Sequence, residues 1–429
     1  MEALRGVRVR CSGSLYRGSI EGPGGITSVA VSLDGRIAFT GHAGYVVALW
    51  DVPAQRHMSM IDTPLGSVEC VALSPDGKLA MSGAFETEYS SIHGEMGTPY
   101  TISRGGRIRV WSVADERCVL RLDGHTDQVT ALAMTVDGRI GVSASSDATI
   151  RFWDLATGTN LETYEGSKAY KLVAISDDGL CAIAVESGGY DVEAFACSLY
   201  AGELEGHTDE VTSIALTTNG AYALSGAADT TLRLWDIETG QCVRVFVGHT
   251  ARISSLAISA DDRFALSASD DLTLRLWELE TGRCLTVLQG PGQKAVCVAL
   301  SGDCRWALAG CGKDGLHLWK MDWEYKYPEL EDWHEGARPY IDTFLTCKCS
   351  IGADGYWRDG KPSWTDFDVE KLMNELEIRG YGWLRADGIR RKLLELATNW
   401  DHQPPPPGVA RAVRLFNKAM NRPEGASGT

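Results

Sequence analysis

Short alternations of apolar and polar residues fill most of this chain, and they come in groups of four. One group is Ile253-Ser254-Ser255-Leu256-Ala257-Ile258, Arg263-Phe264-Ala265-Leu266-Ser267, Leu272-Thr273-Leu274-Arg275-Leu276-Trp277 and Cys284-Leu285-Thr286-Val287-Leu288. A period of two puts the apolar side chains on one side of an extended chain, so these runs predict strands rather than helices. Turn signals separate the groups: Asp34-Gly35, Asp76-Gly77, Asp137-Gly138, Asp178-Gly179, Asn219-Gly220, Asp261-Asp262 and Gly302-Asp303. Counted from Asp34, Asp76, Asp137, Asp178, Asn219, Asp261 and Asp303, the steps are 42, 61, 41, 41, 42 and 42 residues. A constant period of this size marks an array of units that bury a core only by stacking on one another. Seven copies of four short antiparallel strands predict an all-β, seven-bladed propeller.

A Trp follows five of the markers at 16 residues: Trp50, Trp153, Trp235, Trp277 and Trp319. Gly124-His125, Gly206-His207 and Gly248-His249 place a His 28 residues before Trp153, Trp235 and Trp277, and Asp147, Asp229 and Asp271 stand six before the same Trp residues. Trp50-Asp51, Trp153-Asp154 and Trp235-Asp236 close their units, and Ser143, Ser225 and Ser267 supply a strand hydroxyl. A buried His and Asp must be paired, so each set is expected to lock a loop to a strand.

These residues in register resemble the WD-repeat β-propeller family over residues 15–325. The resemblance implies that His125, Ser143, Asp147 and Trp153 form a buried hydrogen-bonded tetrad, as do His207, Ser225, Asp229 and Trp235, and His249, Ser267, Asp271 and Trp277. It also implies that Leu15 to Ile20 supplies the outer strand of the last blade and shuts the ring, removing an exposed sheet edge. Repeat four departs from the pattern, with Ala194 at the expected Trp position and no Gly-His. Repeats one, two and seven have Gly44, Gly105 and Lys313 at the Asp position, so packing alone is expected to hold those blades.

Two additions interrupt the periodicity. The step of 61 places 19 extra residues inside blade two, about Phe85 to Arg104. This stretch reads as a long loop on the top face, and long loops on rigid scaffolds often carry function. After Trp319 the texture changes. A region rich in Trp (Trp323, Trp333, Trp357, Trp364, Trp383 and Trp400) predicts a small α-helical C-terminal extension over 326–402. Helices are expected at Glu335–Leu345, at Asp366–Ile378 capped by Thr365 and stopped by Gly380, and at Gly388–Ala397 capped by Asp387. The second carries a stripe of Phe367, Val369, Leu372, Met373 and Leu376, and the third one of Ile389, Leu393, Leu394 and Ala397. Parts of this region resemble a tail attached to bacterial WD-repeat proteins. Residues 1–14 read as a lead, and Pro404 to Pro407 opens a tail that reads as disordered beyond Arg422.

Composition changes this picture little. The net charge of −16 disfavours a nucleic-acid partner, and no run approaches a membrane span. The 12 Cys residues are scattered, several inside predicted strands (Cys70, Cys181, Cys297), which suits buried free thiols in a reducing cytoplasm. Met1 to Arg10 carries no apolar signal core. A monomer is the expected state.

Chemical motifs are sparse. Gly310-Cys311-Gly312-Lys313-Asp314-Gly315 has dinucleotide-loop spacing, but a predicted strand follows it instead of the helix such a loop needs. Cys347-Lys348-Cys349 lacks a second Cys pair at zinc spacing. No cofactor or metal is expected. The expected function is a non-enzymatic platform that binds a protein or peptide on the top face. By family register that face comprises Glu69 in blade two, Gln128, Thr130 and Ser146 in blade three, and Lys171 in blade four. Blade five contributes Glu210, Thr212 and Ala228, blade six Arg252, Ser254 and Asp270, and blade seven Lys294. Tyr89, His93, Tyr100 and Arg104 of the insertion join them. One alternative is a sensor or adaptor that docks on an effector through its C-terminal helices. A more remote one is a hydrolase or lyase using His93 with Glu86 or Glu95.

Overall fold

The computed structural model describes residues 8–20, 25–63, 66–93, 99–179, 181–195, 203–289, 292–311, 315–326, 331–351, 358–359, 361–376, 381, 384–398 and 400. Seven four-stranded antiparallel sheets form a β-propeller, and three short helices lie near the C-terminus. In blades one to six the four strands follow one another in sequence from inner to outer. The inner strand of each blade packs against that of the next, and that of blade seven packs on that of blade one, so the ring is closed.

The N-terminal strand completes blade seven. Arg8–Ile20 pairs antiparallel with Gly315–Lys326, with Tyr16 opposite Trp319 and Cys11 opposite Trp323. This strand starts earlier than the apolar pattern at Leu15 suggests. At the seam, a Cβ on Gly310 would lie 2.6 Å from Ile26 of blade one. Glycine there lets the last blade approach the first.

Each blade interface is a buried apolar layer. Trp50, Trp153, Trp235 and Trp277 are all but fully buried. Trp277 packs with Leu224, Leu234, Phe246 and Ile253, residues of blade five and of its own blade's inner strand. Burying an aromatic side chain of this kind contributes about 1.5–3 kcal/mol.

Three expectations change. In blade four Ala182 lies opposite Phe195, as Gly141 lies opposite Trp153 and Ala223 opposite Trp235. Phe195, rather than Ala194, therefore holds the Trp position, and the preceding turn is one residue longer. The blade-two insertion is not a loop. Its ends extend the middle strands into a ribbon, Leu79–His93 paired with Pro99–Ser112, with Tyr89 opposite Thr101 and His93 opposite Pro99. Its β-branched and aromatic residues suit an extended backbone. The third change concerns thiols. Cys70 and Cys297 are free and buried, but Cys181 is disulfide-bonded. Burial pushes the Cys297 thiol up to about 12, and it pushes the Cys70 thiol up as well.

The C-terminal extension forms α1 (Arg338–Cys347), preceded by a 3₁₀ turn at Glu335–Ala337, α2 (Asp366–Leu376) and α3 (Ala386–Thr398). Thr365 and Asp368 cap α2 reciprocally, through Thr365 N and Oγ1 to Asp368 Oδ2 at 2.7 and 2.8 Å and Asp368 N to Thr365 Oγ1 at 3.3 Å. Val369, Leu372 and Leu376 meet Ile341, Leu345, Ile389 and Leu393 in a core of their own. Phe367 and Leu394, both placed in apolar stripes by the sequence, point to solvent at 71% and 62% exposure. Asp387 lies in the first turn of α3 instead of capping it. Gly380, the expected stop of α2, and Pro404 to Pro407 lie outside the described residues.

This module sits on the bottom face, where the Asp-Gly turns lie. Cys347 Sγ approaches the Asp177 carbonyl at 4.0 Å, and Lys371 Nζ lies 3.7 Å from Asp76. A cleft of about 670 Å³ separates α1 and α2 from the turns of blades three to five, where Asp137, Asp177 and Thr218 line it.

Candidate functional site

The top face is built from the loop ahead of each inner strand and the turn between the second and third strands. Backbone hydrogen bonds stitch the two together: Ser146 N to Gln128 O at 2.9 Å, Ala228 N to Glu210 O at 2.8 Å and Asp270 N to Arg252 O at 2.9 Å. The His sets beneath hold this arrangement rigid. In blade three His125 Nδ1 lies 2.9 Å from Asp147 and Nε2 lies 2.7 Å from Ser143, which also receives the Trp153 indole N–H at 2.9 Å. Blade five repeats this with His207, Asp229, Ser225 and Trp235, and blade six with His249, Asp271, Ser267 and Trp277.

Donor chemistry fixes the direction of each chain. Indole can only donate and a carboxylate can only accept. With neutral His, the Trp N–H therefore donates to Ser, the Ser O–H to His Nε2, and His Nδ1–H to Asp. Burial holds the three His below their usual value, against the pull of the Asp beside each. Burial also raises the Asp carboxyls, but hydrogen bonds from Thr149, Thr231, Thr273, the His rings and loop amides outweigh it and leave them low. Asp271 falls to about 2.

Thr149, Thr231 and Thr273 were not singled out by the sequence reading. Each stands two residues after its Asp and donates to it at 2.6–2.7 Å. Their signal was the repeated Asp-x-Thr spacing. Blades one and two are not held by packing alone. Trp50 donates to Thr40 at 2.7 Å, which lies 2.9 Å from His42 Nε2, and Trp111 donates to Ser82 at 2.9 Å. These hydroxyls stand at the same strand position as Ser143, Ser225 and Ser267, and in blade one His42, two residues further along the strand, supplies the imidazole.

The expected top-face residues fall into two groups. Thr130, Thr212 and Ser254 clasp the next blade, donating to Tyr170 O at 2.9 Å, Ile253 O at 2.6 Å and Ala295 O at 2.7 Å. The charged residues pair across blades. Lys171 of blade four meets Glu210 of blade five, which also lies 3.8 Å from Arg252 of blade six. Asp270 of blade six meets Lys294 of blade seven at 2.8 Å. Glu69 is half-buried in blade two. Tyr89, His93, Tyr100 and Arg104 are placed only by the backbone of the ribbon. Their side chains and that of Glu86 lie outside the described residues, as does Glu95 entirely.

The sequence reading missed the apolar part of this face. Tyr45, Tyr190, Leu272 and Val296 are each 40–52% exposed, in loops of blades one, four, six and seven. Tyr45 and Leu272 hold φ values of 65° and 67°, and Ala148 and Thr230 hold 63° and 71° at the same position of blades three and five, so the left-handed residue belongs to the repeated turn.

Residues 116–154, 199–236, 240–278 and 282–320 match the family model of the WD domain, G-beta repeat. Four of the repeats in this chain thus match the WD40 pattern. Together with the ring of seven blades, they support a WD-repeat propeller. The matches end at the third strands of blades three, five, six and seven, so the departing blade four is passed over.

Periodic tryptophan protein 2 of Arabidopsis thaliana is 27% identical over 197 residues, which is 44% of this chain and 19% of that protein. Autophagy-related protein 16 of the same organism is 27% identical over 221 residues, 50% and 39% of the two lengths. Mitochondrial division protein 1 of Neurospora crassa is 34% identical over 140 residues, 32% and 20%. The chain thus spans roughly a fifth to two-fifths of the relatives it matches. All three are eukaryotic, and the likeness of the C-terminal region to bacterial tails finds no support in them.

The Gly310 to Gly315 run lies at a strand-to-strand turn, with Cys311 opposite Gly315. Residues 312–314 themselves lie outside the described residues.

Proposed function

We propose that this protein is a non-catalytic interaction platform whose top face docks a protein or peptide. The WD40 repeats and the relatives that carry them support a protein-interaction role in general, without naming a partner or a face. One observation carries the choice of face. Exposed Tyr45, Tyr190, Leu272 and Val296 stand on the same face as Lys171, Glu210, Arg252, Asp270 and Lys294, whose charges are paired with one another. Apolar side chains among neutralised charges gain most from a partner that covers them. The high net negative charge supports a protein rather than a nucleic-acid partner. We place the platform in the cytoplasm on its free buried thiols, with the Cys181 disulfide as the counter-indication.

The test compares affinity capture by the full chain with capture by a Tyr45→Ser/Leu272→Ser double variant, quantified by mass spectrometry. The melting temperature is measured on both. A partner whose recovery drops at least about tenfold on an unmelted variant supports the reading, since two such anchors contribute ~1–2 kcal/mol or more. Recovery that does not change rules out this face.

A second reading is the adaptor that docks on an effector through its C-terminal helices. Exposed Phe367 on α2 and Leu394 on α3 favour it. In that case Phe367→Ser/Leu394→Ser, and not the top-face variant, loses the partner.

A further inference from the structure

Blade four departs from its neighbours at every position of the hydrogen-bonded set at once. Gly166, Ala184, Gly188 and Phe195 stand where blade three has His125, Ser143, Asp147 and Trp153. Losing one member would strand a buried donor or acceptor, whereas losing all four strands none. A Cβ on Gly166 would lie 2.6 Å from the Tyr170 hydroxyl. That hydroxyl therefore takes up the room that the His side chain fills elsewhere. It donates to Glu193 Oε2 at 3.4 Å. In strand register Glu193 lies opposite Ala184, as Arg151 lies opposite Ser143, Arg233 opposite Ser225 and Arg275 opposite Ser267. A carboxyl thus replaces a guanidinium at this position.

The half-buried Glu193 faces two further carboxyls, Glu186 on the second strand and Glu203 on the outer strand. Tyr170 on the inner strand and Lys168 in the loop before it also face it among the described residues. Lys168 is drawn toward Glu186 at 3.8 Å, and Glu186 also accepts from Ser167 Oγ at 3.1 Å. An ionised Glu193 therefore meets two like charges and one shared cation. The adjoining turn, residues 187–191, is the lengthened one. It contains Gly188, Gly189 and Asp191, carries the exposed Tyr190, and has Gly188 at the position where blades three, five and six place the Asp that pins the turn to a His; Asp191 instead faces His207 of blade five.

We propose that blade four is a proton-operated latch, its turn at residues 187–191 held closed while Glu193 is protonated and loosened when Glu193 ionises against Glu186. Burial and the Glu186 charge, outweighing the Tyr170 hydrogen bond, hold the Glu193 carboxyl up at about 6, above its ordinary 4.5. A raised carboxyl stabilises the fold fully below 4.5 and ceases to do so as pH rises through about 6. The lowered His of blades three, five and six act in the opposite sense, so blade four contrasts most with them near neutrality. If the top face is the docking surface, the latch makes one of its walls pH-dependent. The latch itself does not rest on that reading.

Hydrogen exchange with mass spectrometry on the full chain, between about pH 5 and pH 7.5, tests this without any partner. After correction for intrinsic exchange, peptides covering 181–195 should open roughly 5–30-fold more at the higher pH, the range set by the shift and its solvent screening. Peptides of blades three and five should show no such increase, and Glu193→Gln should flatten the response. Equal protection at both pH values overturns the latch, as does a response that survives Glu193→Gln. Should that variant fail to fold, Glu186→Gln removes the facing charge and must lower the midpoint, and an unmoved midpoint is equally fatal. A working latch with pH-independent docking would overturn the docking surface alone.

Discussion

His207 donates its Nδ1–H to the Asp229 carboxylate across 2.8 Å, and through that hydrogen bond a loop ahead of the inner strand is fastened to a turn two strands away. Asp229 also receives the Thr208 amide at 3.1 Å and the Thr231 hydroxyl at 2.7 Å. Replacing it strands a buried imidazole N–H, a hydroxyl and an amide. We expect Asp229→Ala to destabilise the ring by about 2–3 kcal/mol. Urea unfolding checks this, and a loss below about 0.5 kcal/mol, the level of an ordinary surface substitution, would contradict it.

Acid should loosen the ring in two stages. Below 6.5, the ordinary His value, the unfolded chain takes up protons that the buried His125, His207 and His249 resist, so stability falls as pH drops. Below 3.8 the lowered carboxyls of Asp147, Asp229 and Asp271 add a second loss, which for Asp271 continues to about 2. Glu193 opposes the first stage, but as one group against three. Melting temperatures measured from about pH 8 to pH 3 should be level above about 7 and decline below it. Equal melting temperatures at pH 7.5 and pH 5 would sink the account.

Deleting the strand Arg8–Ile20 should open blade seven. Gly315–Lys326 would then lose its outer partner and present an unpaired edge. The expected result is a lower melting temperature together with concentration-dependent association, read by light scattering. A truncated chain that stays monomeric and equally stable would show that closure does not depend on this strand.

What the sequence revealed follows from what repeats. Trp, His, Asp and Ser recur in register, so the blades and their hydrogen-bonded sets could be placed by spacing. Phe195 escaped because one extra residue in a turn shifts a single repeat, and only strand pairing shows it. Thr40 and His42 escaped because a Thr replaces the Ser at the shared position and the His comes from the strand itself instead of the loop before the blade. The ion pairs that join Lys171 to Glu210 and Asp270 to Lys294 bring together residues 39 and 24 apart in sequence. Tyr45, Tyr190 and Leu272 share one position, five residues before Trp50, Phe195 and Trp277, but Ala148 and Thr230 fill it in blades three and five and Val296 lies elsewhere, so no recurring residue type flagged them. The ribbon was read as a loop because its length, more than its alternation, dominated.

Closure by the first strand also sets a timetable. Tyr16 cannot meet Trp319 until that part of the chain has left the ribosome. At typical synthesis rates, the N-terminal strand waits roughly 15–60 s without its partner. During that wait the chain holds an unpaired strand at its start, while blades one to six stack in order behind it. Closure of the ring therefore waits for the seventh blade, and any factor that shelters the Arg8–Ile20 strand must hold it until that blade appears.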